Sequence, residues 1–414
     1  MAVGLLAAAG LRSQPPRPNV AANRWAERGL EVRGRRRADA GGSLSWTVGE
    51  RVASAAEHSF DRVQRGTEVP TSSRVQGDEP LPPRLPRRWG IEAVPEPLAG
   101  GRGRRWRLDA DGASYLLREH GSPDRRRIGL RHEAMAALDA AGLPVLAPVP
   151  ARNGRTLVVA GGRGYEVFPW ASGRRRDGLE LTFVQCERLG ALLGRLHAEL
   201  DRVTGPVQQS MLVPTSRAAE AMAAVDAALA GTSDDGTDFA ALTVRRLRER
   251  RELLDEFADH QPPEIDTSTV GRLHGAFHQG HLRYGRSGEV SAVLGWDALT
   301  TGPLAGEVVG AAARLFACGD DRGLDLDRVQ AFLRGHRSVV ELDAGQIQSA
   351  VHRAWWERLC DVASLRRRYL GDEPSDGADA PTALVAWWSA NLERTLDAFA
   401  VPYTEVPDDS PAYG

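Results

Sequence analysis

Alternating apolar residues and turn signals predict a small β-rich domain in the first half of the chain. Two strand-like runs in "GRRWRLDADGASYLLRE" flank Asp111-Gly112, a dipeptide typical of a tight hairpin turn. The segment "NGRTLVVAGGRGYEVFPW" supplies two more strands. Between the two pairs, "RHEAMAALDAAGLPV" predicts a helix that ends at Gly142. The pattern therefore predicts strands and one helix in a domain over residues 86–170.

Helical spacing replaces this pattern after Trp170. In "FVQCERLGALLGRLHAEL", the apolar residues fall on one helix face: Cys186, Leu189, Leu193, Leu196 and Leu200. A short strand pair is expected within residues 271–296, with helices before and after it. Trp355 and Trp356 are expected in the core, since large aromatic side chains are usually buried. The sequence thus predicts a helical domain over residues 171–402 and a tail over residues 403–414.

Residues 1–85 differ in composition from the rest of the chain. They are rich in Arg, Pro, Gly and Ser, and few apolar residues recur at helix or strand spacing. Such a segment cannot bury enough apolar surface to offset the entropy lost on ordering. We expect a disordered extension here. The alternative is an arginine-rich arm that docks on a partner.

Charge and cysteine content exclude several classes of protein. The formal net charge of −2 at pH 7 argues against a dedicated nucleic-acid-binding protein. No run of roughly 18 apolar residues occurs, so no membrane-spanning helix is expected. Cys186, Cys318 and Cys360 are too widely spaced for a disulfide framework or a zinc pattern. These features predict a soluble protein of the reducing cytoplasm. The chain also contains no lysine, so no lysine can take part in its mechanism.

The stretch "LHGAFHQGHLRYGRSGEVSAVLGWD", residues 273–297, holds the candidate chemistry. His274, His278 and His281 would share one face of a helix and could then bind zinc. Two glycines interrupt the stretch, however, and glycines at such positions favour a loop. A loop is therefore expected, with zinc binding as the less favoured alternative.

A second candidate is the glycine-rich turn "AGGRGRRW", which precedes a predicted strand. Its glycines are Gly100, Gly101 and Gly103. A turn of this kind can bring backbone N–H groups to phosphates. Glycines also simply make turns, so this signal gains weight only from its position in the small domain.

The order of these parts resembles the aminoglycoside phosphotransferase family. That family reads roughly His-Gly-Asp-x-His-x-x-Asn, then Ile-Asp-Trp-Asp/Glu, then Gly-Pro and an acidic residue before a helix. The chain keeps His274-Gly275, His278, Gly280, Trp296-Asp297, Gly302-Pro303 and Glu307. The resemblance covers about residues 90–400. It implies an α+β, two-lobed protein-kinase-like fold, with a small β-rich N-lobe and a larger helical C-lobe, and it implies ATP and Mg²⁺ as cofactors.

Several functional positions of the family are changed here. The resemblance aligns the catalytic base with Ala276 and the two magnesium ligands with His281 and Gly295. Alanine has no proton acceptor, neutral imidazole is a poor ligand for a hard cation, and glycine offers no side chain. Asp297, two residues further on, is the candidate substitute ligand. The sequence therefore predicts that ATP and Mg²⁺ bind weakly or not at all.

The small-lobe clamp and the scaffold acid have counterparts in the resemblance. Arg118 stands where the family has a phosphate-binding lysine, and Glu133 stands at the place of its helix partner. An ion pair between Arg118 and Glu133 is expected, because both stand at positions that are paired in the family. Arginine can also bind phosphate. Glu307 keeps an acid at the family's structural position.

Three functions remain open on the sequence alone. The favoured one is a ligand-binding or regulatory protein with an impaired kinase site, acting on a small molecule or a protein partner. The second is an active small-molecule phosphotransferase with a non-standard site. The third is a purely structural interaction protein.

Overall fold

The structure, a computed structural model, describes residues 81–82, 84–99, 103–204, 208–232, 236–319, 322–370 and 380–400. Most of the predicted extension and the whole predicted tail lie outside these residues. Two separate hydrophobic cores organise the described residues. Residues 84–169 are called the small lobe below, and the described residues from 170 onwards are called the large lobe.

An antiparallel sheet of five strands forms the small lobe, in the order β1-β2-β3-β5-β4. Its strands are β1 (Glu96–Pro97), β2 (Arg105–Ala110), β3 (Ala113–His120), β4 (Val158–Ala160) and β5 (Arg163–Pro169). The predicted hairpin is confirmed. Asp111 and Gly112 connect β2 to β3 with φ values of 51° and 76°, as a two-residue hairpin turn with both central residues left-handed requires.

Helix α1 (Arg125–Ala140) follows β3, and its buried apolar residues are not part of the core of the sheet. The Asp124 carboxylate caps it by accepting two backbone N–H groups of the first turn, at 3.1 and 3.0 Å. The helix ends just before Gly142, as predicted, where φ is +76°. Its buried apolar residues join the core of the large lobe: Ala134, Met135 and Leu138. The helix therefore ties the small lobe to the large one.

The small lobe begins earlier than the sequence predicts. Leu85, assigned to the disordered extension, is only 1% exposed and packs in the small-lobe core beside Trp89. The indole N–H of Trp89 donates to the carbonyl oxygen of Val149 at 3.1 Å. Prolines and arginines around Leu85 obscured its core position in the sequence. Leu85 therefore belongs to the small-lobe core and not to the extension.

Helices dominate the large lobe, as predicted. They are α2 (Phe183–Thr204), α3 (Ala218–Gly231), α4 (Asp238–Glu256), α5 (Leu304–Leu315), α6 (Leu326–Arg337), α7 (Ala344–Cys360), α8 (Val362–Leu370), α9 (Ala380–Ala390) and α10 (Leu392–Ala400). The predicted apolar face of α2 is buried along its length, and Trp355 and Trp356 are fully buried. Within the described part of the chain, no helix is both long and apolar enough to cross a membrane.

Two glycines allow α2 and α6 to pack backbone against backbone. A Cβ atom on Gly190 of α2 would lie 1.9 Å from the carbonyl oxygen of Phe332. A Cβ atom on Gly335 of α6 would lie 1.8 Å from the carbonyl oxygen of Glu187. Any side chain at either position would force the helices apart. This close packing brings His197 of α2 and His336 of α6 together behind the candidate site.

Short antiparallel strand pairs frame the candidate site. They are β6 (Met211–Leu212) with β7 (Ile265–Asp266), β8 (Val270–Leu273) with β11 (Thr300–Pro303), and β9 (Leu282–Tyr284) with β10 (Val290–Val293). The predicted strands within residues 271–296 are thus present. The loop between β8 and β9, residues 274–281, is called the histidine loop below.

Candidate functional site

Backbone contacts fix the start of the histidine loop. Gly275 has φ of +81°, and a Cβ atom there would lie 2.1 Å from the carbonyl oxygen of Ala298, so only glycine fits. The Glu307 carboxylate, at the start of α5, accepts the backbone N–H groups of His274, at 2.9 Å, and Gly275. Glu307 therefore supports the loop, in agreement with the scaffold role that the resemblance implied.

A buried chain of histidines stands behind Glu307. His197 donates from Nε2 to Glu307 at 2.8 Å, and Nδ1 of His197 shares a hydrogen bond of 3.0 Å with Nε2 of His336. Burial alone would raise the pKa of Glu307, but the hydrogen bond and charge of His197 outweigh it and lower that pKa. Burial also lowers the pKa of His336 to about 2, so this ring is neutral. Both oxygens of Glu307 are thus engaged, which leaves neither for a metal or a substrate proton.

Hydrogen bonds within the histidine loop argue against the zinc alternative. His274 donates from Nε2 to the carbonyl oxygen of Leu294 at 2.8 Å and accepts at Nδ1 from the backbone N–H of Ala276 at 3.2 Å. It therefore has no nitrogen left for a metal. Burial also lowers its pKa to about 4. Across the described ranges, no group of three or more His, Cys, Asp or Glu side chains is arranged to hold a metal ion.

His281 and Gly295, the two positions aligned with metal ligands, pack directly against each other. Nδ1 of His281 donates to the carbonyl oxygen of Ala276 at 2.8 Å. A Cβ atom on Gly295 would lie 2.2 Å from the same Nδ1 atom. The imidazole ring therefore fills the space in which a carboxylate side chain at position 295 would begin. At the base position, the side chain of Ala276 is only a methyl group.

Asp297, the candidate substitute for a metal ligand, is held by arginines of the small lobe. Its carboxylate accepts from Arg118, with Nη2 and Oδ1 2.7 Å apart, and from Arg131 of α1. Arg127 donates to the backbone carbonyl oxygen of Asp297 at 3.2 Å. Partial desolvation by the surrounding protein would raise the pKa of Asp297, but the charge and hydrogen bonds of Arg118 outweigh it and lower that pKa. Asp297 is therefore an ionised partner of two guanidinium groups.

Glu166 of β5 neutralises the same two arginines from the opposite side. It is fully buried and accepts from Arg118 and Arg131, and from Nε2 of His120, at 2.8 Å, and of His132, at 2.7 Å. Burial would raise the pKa of Glu166, but the hydrogen bonds of the two histidines and the charges of the two arginines hold it well below its usual value. Two cations and two anions thus form a balanced network.

The predicted ion pair between Arg118 and Glu133 is wrong. Arg118 contacts Glu166 and Asp297 instead, and Glu133 is exposed on α1. The physical reason is helical geometry. Successive residues of a helix are rotated by about 100°, so position 133 points away from the face that carries Arg131. The helix residue that meets Glu166 is therefore a cation.

The predicted glycine-rich turn is described only in part, because Gly100 and Gly101 lie outside the described residues. Gly103 has φ of +74°, and a Cβ atom there would lie 3.3 Å from the carbonyl oxygen of Glu119 in β3. The turn therefore packs closely on the strand that carries Arg118. Phosphate binding by these glycines stays a prediction.

These residues do not fit a magnesium ion of the kinase type. Mg²⁺ requires oxygen ligands in near-octahedral geometry. Ala276 offers no side-chain oxygen, the His281 ring takes the place beside Gly295, and the Asp297 carboxylate is bound by guanidinium groups. Among the described residues of this site, no carboxylate is left to hold the ion.

Sequence reasoning missed Arg131 and Glu166. Glu166 had a signal, because it lies inside the apolar run "YEVF" of a predicted strand. An acid in such a run is buried and needs cationic or hydrogen-bonding partners. Arg131 had no such signal, because the charged residues of α1 do not fall on one face of the helix.

Comparisons with known proteins agree with this architecture. Residues 94–342 match the family model described as "Phosphotransferase enzyme family". Among curated protein sequences, none matches the chain significantly.

Two solved structures share the fold. One is a spectinomycin phosphotransferase in complex with ADP and spectinomycin, with 13% identity, a TM-score of 0.50, and coverage of 76% of this chain and 91% of that chain. The other is an aminoglycoside phosphotransferase from Alicyclobacillus acidocaldarius, with 14% identity, a TM-score of 0.50, and coverage of 78% and 96%. The predicted two-lobed, kinase-like fold is thereby confirmed.

Proposed function

Because this chain belongs to the phosphotransferase enzyme family, we propose that it is a member with an impaired catalytic site. It keeps the kinase-like scaffold but transfers phosphoryl groups slowly or not at all. Its role is then to bind a small-molecule ligand, or to regulate a protein partner, through the region around the histidine loop.

One observation carries this proposal: Asp297 is held by Arg118 and Arg131. Phosphoryl transfer depends on positioning and on neutralising charge, which a bound metal ion and cationic groups normally provide. Here Arg118, the arginine at the phosphate-clamp position, and Asp297, the candidate metal ligand, neutralise each other. A nucleotide and its metal would have to break these ion pairs before binding.

The missing base adds to this effect. General-base assistance is typically worth roughly 10²- to 10⁴-fold in rate. The methyl group of Ala276 cannot accept the proton of a substrate hydroxyl. His281 is a poor replacement, because its Nδ1–H is donated to Ala276 and burial lowers the pKa of the ring, which makes its other nitrogen a weaker base. The chemical step therefore lacks both proton transfer and metal binding.

The second candidate is an active ATP-dependent phosphotransferase with a non-standard site. The side chain of Asp297 is 53% exposed, which favours this candidate, because a partly exposed carboxylate could leave the arginines and bind a metal ion. Under this alternative, Asp297 is the essential metal ligand. The two candidates therefore make opposite predictions for Asp297→Ala.

Calorimetric titration of the full chain with ATP, with and without Mg²⁺, separates the candidates. We expect weak or undetectable ATP binding that Mg²⁺ does not strengthen. We expect Asp297→Ala to bind ATP at least as well as the unaltered chain, because Arg118 and Arg131 then have only Glu166 to balance their two charges and can attract phosphates. Glu133→Ala, an exposed acid on the neighbouring helix, is the matched control and should change nothing.

The opposite result would support the active enzyme. If Mg²⁺ strengthened ATP binding by tenfold or more and Asp297→Ala removed that gain, then Asp297 would be a metal ligand. The proposal of an impaired site would then be wrong.

A further inference from the structure

Three arginines beside the histidine loop have no carboxylate partner among the described residues. Arg175 lies in the segment that enters the large lobe, Arg283 lies in β9, and Arg314 lies in the last turn of α5. In the same segment, Arg174 and Arg176 each pair with Glu180, at 3.7 Å. Within the described residues, Arg175 thus differs from both neighbouring arginines in having no carboxylate partner.

Backbone pairing brings Arg175 and Arg283 together. Arg174 and Tyr284 exchange backbone hydrogen bonds of 3.0 and 2.9 Å as an antiparallel pair. In such a pair, the residue after one partner lies opposite the residue before the other, with its side chain on the same face. Arg175 and Arg283 are therefore cross-strand neighbours. Arg283 also donates to the carbonyl oxygen of Gly280 in the histidine loop at 3.1 Å.

Arg314 approaches the loop from α5. It lies seven residues after Glu307, so both are on the helix face that meets the loop. Gly310 lies one turn before Arg314, and a Cβ atom on Gly310 would be 3.4 Å from Nη2 of Arg314. The guanidinium group thus folds back over this glycine towards Glu307. Its Nε atom is buried and has no hydrogen-bond partner.

His278 of the histidine loop is close enough to Arg314 and Arg175 for their charges to act on it. Burial, the neighbouring ring of His281, and the charges of Arg314 and Arg175 together lower the pKa of His278 to about 3. The rings of His278 and His281 are 4.2 Å apart. Both rings are therefore neutral at pH 7, and they can offer hydrogen bonds without adding charge.

Among the described residues, the acids nearest these arginines are already hydrogen-bonded to other groups, although the charge of Glu307 also acts on Arg314. Glu307 is engaged by His197 and the backbone of the loop, and Asp297 is engaged by Arg118 and Arg131. Clustered like charges repel one another, and they attract small anions. Guanidinium groups suit phosphate especially well, because they donate two parallel hydrogen bonds.

We propose that Arg175, Arg283 and Arg314 form a binding site for a small phosphate-bearing metabolite, which is bound without a metal ion. This inference rests on the proposed function, since it names the class of ligand that the impaired site takes. The site is distinct from the small-lobe pair Arg118 and Arg131, whose charges are already balanced.

The test is calorimetric titration of the full chain with pyrophosphate in chelator-treated buffer at constant ionic strength. We expect saturable binding with one site per chain. Arg175→Gln and Arg283→Gln should each weaken binding about tenfold or more, as expected for the loss of a hydrogen bond to a charged group. Arg314→Gln should do the same. If that variant fails to fold, the exposed position of Arg175 keeps the test decisive.

Two control variants remove the same charge elsewhere. Arg174→Gln changes the adjacent arginine, which already pairs with Glu180. Arg127→Gln changes an exposed small-lobe arginine that contacts Asp297. Both should bind pyrophosphate within twofold of the unaltered chain.

Three results would overturn the inference. They are no saturable binding, an Arg174→Gln effect as large as that of Arg175→Gln, and a loss of binding in Arg127→Gln alone. The first would show that no anion site exists, the second would indicate diffuse charge attraction, and the third would locate the anion in the small lobe. None of these results depends on ATP turnover, so this inference and the proposed function can fail separately.

Discussion

The imidazole ring of His281 lies where a side chain at position 295 would begin. A Cβ atom on Gly295 would be 2.2 Å from Nδ1 and 2.3 Å from Cε1 of His281, and the backbone of Gly295 has φ of +85°. A hydrogen bond to the carbonyl oxygen of Ala276 holds the ring in this place. The ring at position 281 therefore requires glycine at position 295, and the two changes from the family pattern depend on each other.

Gly295→Asp is expected to destabilise the protein unless His281 is also changed. A residue with a side chain in the left-handed conformation lowers the free energy of unfolding by about 1–2 kcal/mol. Overpacking against the ring lowers it by about 1–3 kcal/mol more. In the double variant with His281→Asn, the ring is removed and at least ~1 kcal/mol should be recovered. Urea unfolding of the two single variants and the double variant measures this coupling.

Gly112→Asp is the matched control for backbone strain. Its φ is +76°, and a Cβ atom there would meet nothing within 4 Å. Gly112→Asp should therefore lose only the stability that the left-handed backbone costs, and His281→Asn should not restore it. Strictly additive effects at positions 281 and 295 would show that the ring does not fill this space.

Glu166→Gln is expected to cost about 3–5 kcal/mol at pH 7, since it removes the buried one of the two carboxylates that Arg118 and Arg131 share. The folded-state pKa of Glu166 is depressed, so its stabilisation is present above the unfolded pKa of about 4.3 and is lost as pH falls through the folded value. The gap between the unaltered chain and the variant should therefore shrink below about pH 4.3. Unfolding by urea at pH 7 and at lower pH measures it.

Glu133→Gln provides the comparison for this carboxylate. Glu133 is exposed on α1, so its loss should change stability by less than ~0.5 kcal/mol at either pH. Equal costs for Glu133→Gln and Glu166→Gln would contradict the network centred on Glu166. Such a result would instead favour the ion pair between Arg118 and Glu133 that the sequence predicted.

Most of the fold could be predicted from the sequence because its signals are local. Asp111-Gly112 fixes a hairpin through turn geometry alone, and the apolar face of α2 follows from helical period. The departures from the family pattern at Ala276, His281 and Gly295 could also be identified, because their spacing within one stretch of the sequence is fixed.

The contacts of the site could not be predicted in the same way. The partner of Arg118 depends on which face of α1 meets β5, and a rotation of two residues exchanges Glu133 for Arg131. Asp297 is 179 residues from Arg118 in the sequence. No local pattern connects positions so far apart, so this ion pair appears only in the folded chain.

Truncation tests where the small lobe begins. Removing residues 1–80 should leave the melting temperature within about 5 °C of that of the full chain, because the segment lacks a periodic apolar face. Removing residues 1–89 also deletes Leu85 and Trp89, which are 1% and 7% exposed. That loss should cost more than the roughly 3–5 kcal/mol of a single Trp→Ala change in a core.

Trp89→Ala in the full chain is the point substitution that matches this truncation. It should lower the melting temperature, whereas the shorter truncation should not. A drop of more than about 5 °C, roughly 1 kcal/mol, on removing residues 1–80 would indicate that this segment packs on the folded lobes.

Restoring the family's residues tests whether the scaffold itself is intact. The triple variant Ala276→Asp, His281→Asn and Gly295→Asp returns the base, the amide and the second carboxylate together. We expect it to gain measurable ATP turnover, because the loop is already held by Glu307. A folded triple variant that remains inactive would show that more than these three positions separates this chain from active kinases.

ATP consumption by the unaltered chain, measured across a panel of aminoglycosides and amino alcohols with Mg²⁺, tests the central claim most directly. Ordinary kinases turn over at roughly 1–100 s⁻¹. With no base at Ala276 and with Asp297 bound by Arg118 and Arg131, turnover should lie several decades below that range for every acceptor. Robust turnover that Asp297→Ala abolishes and Glu133→Ala preserves would contradict the account and establish an active enzyme with a non-standard metal site.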